Sequence, residues 1–235
     1  MLKLIMALSK RNRISNVHPI EKVFLTIVPI IIMGFVNNPI IIIINIGLFI
    51  LLHGVVKNNP NIVIKFALRI AAFAAFSSIT FVFDYGISYT LTIILKSIFS
   101  GLSLCFLSLT TPIDQLLYIC SKNDYLRDIC DIAKSMERFL MVMDEEYNIM
   151  YNAMKSRGGF DSFSAKVNST GKIAALLFVN TMERWKSIKD GINSRCYKGY
   201  MPYLGEDFEF SRRRFLIILL YNTILILSLF GVEFL

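Results

Sequence analysis

Two arginines occupy positions where a side chain could bind a partner rather than transform a substrate. Arg157 lies in MYNAMKSRGGF (150–160) and Arg195 in IKDGINSRCYKGY (188–200). Gly158 follows Arg157, and glycine is the residue best suited to the left-handed conformation that ends a helix. A guanidinium at an exposed helix end presents five donors to carboxylates or backbone carbonyls. The pattern predicts a docking contact; the alternative is an arginine that only complements the helix dipole.

The other polar residues form no catalytic or metal-ligating pattern in the sequence. Asp144, Glu145 and Glu146 are consecutive, so on a helix they point in different directions and cannot converge on one metal ion. His18 and His53 lack the spacing of metal ligands, and no Gly-rich phosphate loop is present. We therefore expect a protein without catalytic activity, metal or cofactor.

The composition is that of a membrane protein. Hydrophobic residues make up 55% of the chain, whereas soluble domains usually contain about 45–50%. Residues 23–56 and 70–109 carry almost no charge, and 120–214 is rich in charge. The net charge of +8 is not interleaved with aromatic residues as in RNA-binding proteins, which argues against a nucleic-acid partner. A basic excess instead indicates the topology of a protein in a lipid bilayer.

The hydrophobic segments predict an all-α integral membrane protein with about five spans. A span needs roughly 20 residues, and Asn37-Asn38-Pro39 divides a first block that is too long for one. The predicted spans are 22–36, 39–56, 64–83, 88–109 and 215–235. The resulting regions are a membrane region of four spans at 1–109, a cytoplasmic module of coupling helices at 110–214, and a last span at 215–235.

Two cations lie within predicted spans. We expect Arg69, about one turn inside the third span, to extend toward the cytoplasmic face. Lys96 is deeper in the fourth span, where a charge is costly. An internal polar contact and a contact with a partner are equally compatible with its position.

The charged region 110–214 predicts two long amphipathic helices. Apolar residues recur at spacings of three and four over 126–154, and a weaker pattern covers 165–195, with Gly158-Gly159 as a helix stop between them. The apolar seam of the first helix includes Met136, Leu140, Met143, Tyr147, Met150 and Met154. Methionine adapts to irregular partners, so the seam suits a surface that packs against another protein. An ordinary helix–helix core is equally compatible with it.

Four segments resemble the transmembrane T component (EcfT/CbiQ) of energy-coupling factor (ECF) transporters. They are ISNVHPIEKVFL (14–25), TTPIDQLL (110–117), FLMVMDEEYNIMYNAMKSRGGF (139–160) and MERWKSIKDGINSRCYKGYMPYL (182–204). The resemblance is strongest to the cobalt-type CbiQ branch, whose pattern joins a Thr-Thr-Pro turn to a helix ending in SRGG. It covers nearly the whole chain.

The resemblance implies a role in coupling. The T component of that family joins a membrane substrate-binding (S) subunit to two cytoplasmic ABC-type ATPases, and its two coupling helices dock into the ATPases through short signatures ending in Arg-Gly. The first signature is matched by Ser156, Arg157 and Gly158. The second is matched by Ser194 and Arg195, and Cys196 stands where glycine is usual.

The substrate implied by the resemblance is cobalt, and nickel or a vitamin remains open. A stand-alone secondary carrier is a less favoured alternative, because it requires ionisable groups near the middle of the bilayer and only Lys96 qualifies. A membrane enzyme would require paired carboxylates or a His-rich site facing a span, which the sequence lacks.

The charge asymmetry predicts a multi-pass cell-membrane protein whose N-terminus is cytoplasmic and whose C-terminus is outside. Nearly all Lys and Arg residues then fall on the cytoplasmic side, and Asp84 lies outside. Cysteines introduced at Asp84 and Asp161 test this in intact cells. A membrane-impermeant thiol reagent should label position 84 and not 161, and the reverse result would overturn the orientation.

Overall fold

The computed structural model describes residues 2–10, 12, 14–194 and 208–233. Arg195 and Cys196 of the second predicted signature lie outside these residues. The described chain is helical, which confirms the all-α part of the predicted fold class, and its one isolated β-bridge joins Val17 and Glu209. The helices are α1 Leu2–Lys10, α2 Pro19–Phe35, α3 Pro39–Val55, α4 Pro60–Ser77, α5 Ile79–Thr110, α6 Ile113–Cys120, α7 Asp124–Ser156, α8 Phe163–Ser194 and α9 Arg212–Glu233.

Three consecutive helices begin in the same way, with a polar capping residue followed by proline. The side chain of His18 accepts a hydrogen bond from a backbone N–H of α2, and Asn38 and Asn59 do the same for α3 and α4. Proline suits the first helical position because the N–H that it lacks would have no partner there. The break at Asn37-Asn38-Pro39 therefore lies where the sequence predicted it.

The boundary between the third and fourth spans differs in part from the prediction, because α4 ends earlier than the sequence indicated. The sequence placed spans at 64–83 and 88–109, but α4 ends at Ser77 and α5 begins at Ile79. At this boundary the hydroxyls of Ser77 and Ser78 donate to carbonyls of the preceding turn, at 2.8 Å and 3.2 Å. A second interruption lies inside the predicted break at 84–87: Gly86, with φ of 81° and ψ of 173°, is not helical, and two helical segments of α5 meet there at a kink.

The chain divides into two compact units. The first comprises 1–116 and 206–235, and the second comprises 117–205. In the first unit α5 packs against α2, α3 and α4, and α9 packs against α2. Its core contains the fully buried rings of Phe49 and Phe99, which meet edge to face with centroids 5.4 Å apart. The second unit contains α7 and α8.

Two helices, α4 and α5, are long and apolar enough to cross a bilayer by length and composition. The equally apolar α3 has 17 residues. These helices belong to the first unit, whereas the second unit, 117–205, contains 23 of the 42 charged residues of the chain. The count of five spans and the orientation of the termini stay predictions.

The acidic residue Glu21, near the start of α2, holds the beginning of α9. Its side chain is 1% exposed. One carboxylate oxygen accepts from the backbone N–H of Ser211 at 2.9 Å, and the other accepts from Nε of Arg214 at 3.1 Å. Ser211 immediately precedes α9, so the carboxylate also lies at the positive end of that helix dipole.

The next residue, Lys22, holds the end of α5. Its side chain is 3% exposed, and Nζ donates to the carbonyls of Thr110 at 2.9 Å and Ser15 at 3.3 Å. Thr110 is the last residue of α5, where a cation complements the negative end of the helix. The end of α5 precedes the second unit in the chain, and the start of α9 follows it. The adjacent pair Glu21-Lys22 thus holds both of these segments within the first unit.

Replacing Glu21 with Gln should lower the free energy of unfolding by roughly 1–3 kcal/mol, because a charge-assisted hydrogen bond is lost at a buried position. The exposed carboxylate of Glu183 supplies the matched control, Glu183→Gln. Thermal unfolding of both variants in detergent measures the effect. An unfolding midpoint for Glu21→Gln equal to that of the control would show that the pair contributes nothing to stability.

Candidate functional site

The turn that follows α7 presents Arg157. The helix ends with two hydrogen bonds that close its last turn, from the N–H of Gly158 to the carbonyl of Lys155 at 3.1 Å and from Gly159 to Met154 at 3.0 Å. Gly158 has φ of 72°, the left-handed conformation that this type of helix end requires. The helix stop predicted from the sequence is therefore confirmed.

Both glycines of this turn are required sterically. A Cβ at Gly158 would lie 2.7 Å from Oδ2 of Asp161, and its backbone conformation is one that other residues rarely adopt. A Cβ at Gly159 would lie 2.9 Å from the carbonyl oxygen of Met154 and 2.7 Å from Oγ of Ser169. The glycines allow the turn to lie directly against its surroundings.

The second helix of the unit fixes the turn. The buried Ser169 of α8 donates to the carbonyl of Gly159 at 2.7 Å. The rings of Tyr151 on α7 and Phe160 in the turn lie with centroids 4.8 Å apart. The Ser162 hydroxyl accepts from the first turn of α8 and so starts that helix immediately after the turn. The backbone that carries Arg157 is thus held from both sides.

Arg157 itself is exposed, and its side chain makes no hydrogen bond or ion pair with the described residues. Its donors are therefore available to a partner. The serines that precede the two predicted docking arginines have the same local contact: Ser156 donates to the carbonyl of Asn152 at 3.0 Å, and Ser194, at the end of α8, donates to Asp190 at 2.8 Å. Both serines are exposed.

The apolar seam of α7 is largely uncovered by the rest of the chain. Met136 is 57% exposed and Leu140 is 50% exposed. Tyr147 is also exposed, and Met143, Met150 and Met154 are half-buried. Of the two interpretations of the seam, this exposure favours a surface for another protein over an internal helix–helix core.

An ion pair that the sequence did not predict joins the two long helices. Glu146 on α7 pairs with the guanidinium of Arg184 on α8. Farther toward the start of α8, the side chain of Ile173 is buried. From the sequence, Glu146 was considered only together with Asp144 and Glu145, as acids that cannot converge on one metal ion. The pairing joins residues separated by 38 positions, so no local spacing could indicate it.

Lys96 makes the internal polar contact. Its Nζ donates to the carbonyl of Gly34 at 2.9 Å and to Oδ1 of Asn37 at 3.2 Å. Gly34 lies in the last turn of α2, so the ammonium complements the carbonyl end of that helix. The structure thus selects one of the two interpretations that the sequence left open.

The described residues contain no group of three or more His, Cys, Asp and Glu side chains that could hold a metal ion. His53 is buried, and both ring nitrogens are engaged: Nε2 lies 3.2 Å from the carbonyl of Leu102, and Nδ1 lies 2.8 Å from the amide nitrogen of Asn58. Neither nitrogen is available as a metal ligand. The notable features of the described chain are therefore exposed contact surfaces.

Two relatives with assigned names are similar to parts of the chain. A putative fused cobalt transport protein CbiMQ of Methanocorpusculum labreanum is 32% identical over 105 residues, which is 45% of this chain and 18% of the relative. An uncharacterized protein of Methanocaldococcus jannaschii, MJ1089, is 30% identical over 125 residues, 53% of this chain and 47% of the relative. The chain spans less than half the length of each relative.

A family model described as CbiQ, cobalt transport protein, matches residues 10–204. The match includes α2 with its Glu21-Lys22 pair, the two long helices and both predicted docking arginines, Arg157 and Arg195. Because it extends over far more than half of the sequence, the chain belongs to the CbiQ family of cobalt transport proteins.

Proposed function

We propose that this protein is the transmembrane coupling (T) subunit of an ATP-driven ECF-type importer. The observation that carries the proposal is Arg157, exposed and with its side-chain donors available, on a glycine turn fixed at the end of a helix of 33 residues. A rigid helix end that presents an arginine suits a docking contact with an acidic or carbonyl-rich groove. The partners at that contact are two cytoplasmic ABC-type ATPase subunits.

In this proposal the first ATPase binds Ser156, Arg157 and Gly158, and the second binds Ser194, Arg195 and Cys196. Motion of the ATPases moves the ends of the long helices, and α7 extends about 50 Å at 1.5 Å per residue. Glu21 and Lys22 hold the two segments through which that motion reaches the membrane region. The chain contributes no catalytic step, because the ATPase activity belongs to its partners.

The uncovered seam of α7 supports a second protein contact. Its exposed methionines can adjust to a partner that changes orientation during transport, because methionine has a flexible, unbranched side chain. We assign this surface to the membrane substrate-binding subunit. The lipid bilayer surrounds the membrane region, and nucleic acid has no role.

Cobalt is the proposed substrate of the complex, on the basis of the family description. One relative is named as a fused cobalt transport protein, CbiMQ, and a fusion of that kind suits a CbiQ protein that works in contact with a second transport protein. Nickel and a vitamin are the alternatives, and uptake of labelled cobalt in competition with nickel distinguishes the two metals.

A secondary carrier is less well supported than a coupling subunit. Lys96, the ionisable residue that such a carrier would use, is occupied by two internal acceptors. A carrier built from this chain would transport substrate without ATPases. Uptake that depends on the ATPase subunits supports the coupling role, and uptake by the isolated chain supports the carrier.

Replacing Arg157 with Glu should weaken ATPase docking by about tenfold or more, because charge-assisted hydrogen bonds worth about 1.5–3 kcal/mol are lost and a like charge is introduced. Uptake should fall strongly. The matched control is Arg138→Glu on the same helix, where the arginine is exposed and outside the docking signature. The measurements are ATPase co-purification and substrate uptake.

Arg195→Glu and the double variant complete this experiment, and the double variant should release both ATPases. Full uptake by the double variant would refute the coupling role of the arginines. Loss of the membrane protein itself would show that they are structural.

Leu140→Asp should weaken binding of the partner that covers the seam, since an unpaired charge buried in an apolar interface costs several kcal/mol. The protein itself should accumulate, because Leu140 is 50% exposed in the chain alone. Arg138→Asp, on the polar face of α7, is the control. Normal assembly and uptake by Leu140→Asp would mean that the seam faces solvent and is not a partner surface.

A further inference from the structure

The fourth helix exposes an unusual surface for a helix of membrane length. Only 11% of the residues of α4 are buried, and Val63 and Ala74 mark the side that is covered by the first unit. The opposite side is exposed. We call it the α4 outer strip: Lys65, Leu68, Arg69, Ala72, Ala75 and Phe76.

Arg69 lies near the middle of α4, a helix of membrane-spanning length. The helix begins at Pro60, so Arg69 is about 13.5 Å along its axis, near half of a hydrocarbon core of about 30 Å. The sequence placed Arg69 about one turn inside a span at 64–83, whereas the Asn59 cap starts the helix itself at Pro60, four residues earlier.

Contacts with α5 give the same depth independently. Ile70, next to Arg69, packs against Gly101, where a Cβ would lie 2.5 Å from its side chain. On α5, Gly101 lies between Lys96, which contacts the end of α2, and Thr110, which contacts the start of α2. The level of Arg69 is therefore between the two ends of α2.

The strip carries positive charge that no acidic side chain of the described residues pairs with. Arg69 and Lys65 are exposed, and neither side chain makes a hydrogen bond or ion pair with the described residues. An arginine facing lipid at this depth is unfavourable unless it reaches the interface. Lys65 lies four residues nearer the start of the same strip, so an arginine extending that way would approach another cation.

Beside the bulky, exposed Leu68 and Phe76, the strip also presents small residues. Ala72 and Ala75 are exposed, and small residues allow two transmembrane helices to approach closely. The exposed surface of α9 provides the contrast within the same unit, since Leu216, Leu220 and Leu227 are each more than 60% exposed. That surface has the bulky aliphatic side chains expected against lipid tails.

We infer that the α4 outer strip binds a transmembrane helix of the substrate-binding membrane subunit, and that a carboxylate of that helix pairs with Arg69 and Lys65 within the bilayer. The inference rests on the proposed function and adds a second contact with the same partner, separate from the seam of α7. A charge-neutralising partner removes the cost of placing two cations in lipid, and the alanines let its helix come close enough to do so.

The test compares Arg69→Leu and Ala72→Trp with Leu220→Trp in membranes that contain the complete complex. If lipid covers the strip, Arg69→Leu removes an unfavourable charge and leaves the complex intact. If the partner helix covers it, Arg69→Leu and Ala72→Trp each reduce the co-purified substrate-binding subunit by about tenfold or more, as expected for an interfacial hot spot. Leu220→Trp should leave the complex unchanged.

The ATPase subunits are the second readout. They should remain bound in all three variants, because the strip contains none of the proposed ATPase contacts, whereas Arg157→Glu should weaken their binding. Retention of the substrate-binding subunit by both Arg69→Leu and Ala72→Trp would overturn the inference while leaving the coupling role intact. Should Arg69→Leu fail to accumulate, Ala72→Trp decides alone, since it changes no charge.

Discussion

The buried pair Glu21-Lys22 is the constraint on which the arrangement of the membrane region depends. Each residue is charged, almost fully buried and satisfied by the end of another helix: the acid by the N–H end of α9 and the base by the carbonyl end of α5. Buried charges are tolerable only when paired or hydrogen-bonded, so the two helix ends cannot move away without leaving a charge unsatisfied. The segments leading to and from the second unit are thereby fixed in the first.

The second unit combines a fixed turn with uncovered surfaces. Its glycine turn is held by Ser169 and by an aromatic contact, yet Arg157 and the α7 seam are exposed. A protein that stabilises such a turn while leaving apolar and cationic side chains uncovered is built for contacts with other proteins. Membership of the CbiQ family agrees with a role within a transport complex.

Local patterns in the sequence were sufficient where the physics is local. The Asn-Pro starts of α3 and α4 and the stop at Gly158 depend on capping groups and on one left-handed residue, and both are visible in a short window. The kink at Gly86 agrees with the predicted break between 83 and 88, whereas the earlier end of α4 at Ser77, where the hydroxyls of Ser77 and Ser78 donate to backbone carbonyls, was not predicted. Hydropathy alone does not register such side-chain bonds to the backbone.

By itself the sequence determined the helical class, the separation of apolar from charged helices, and the Arg-Gly helix end, because each follows from periodicity, composition or local backbone preference. Only the tertiary structure decided which charges are satisfied: Lys96 and Glu21 by helix ends far away in the chain, and Glu146 by Arg184. It also decided that Arg69 faces outward at the middle of its helix. Such assignments depend on which helices pack together, and that choice is made by contacts between residues distant in sequence.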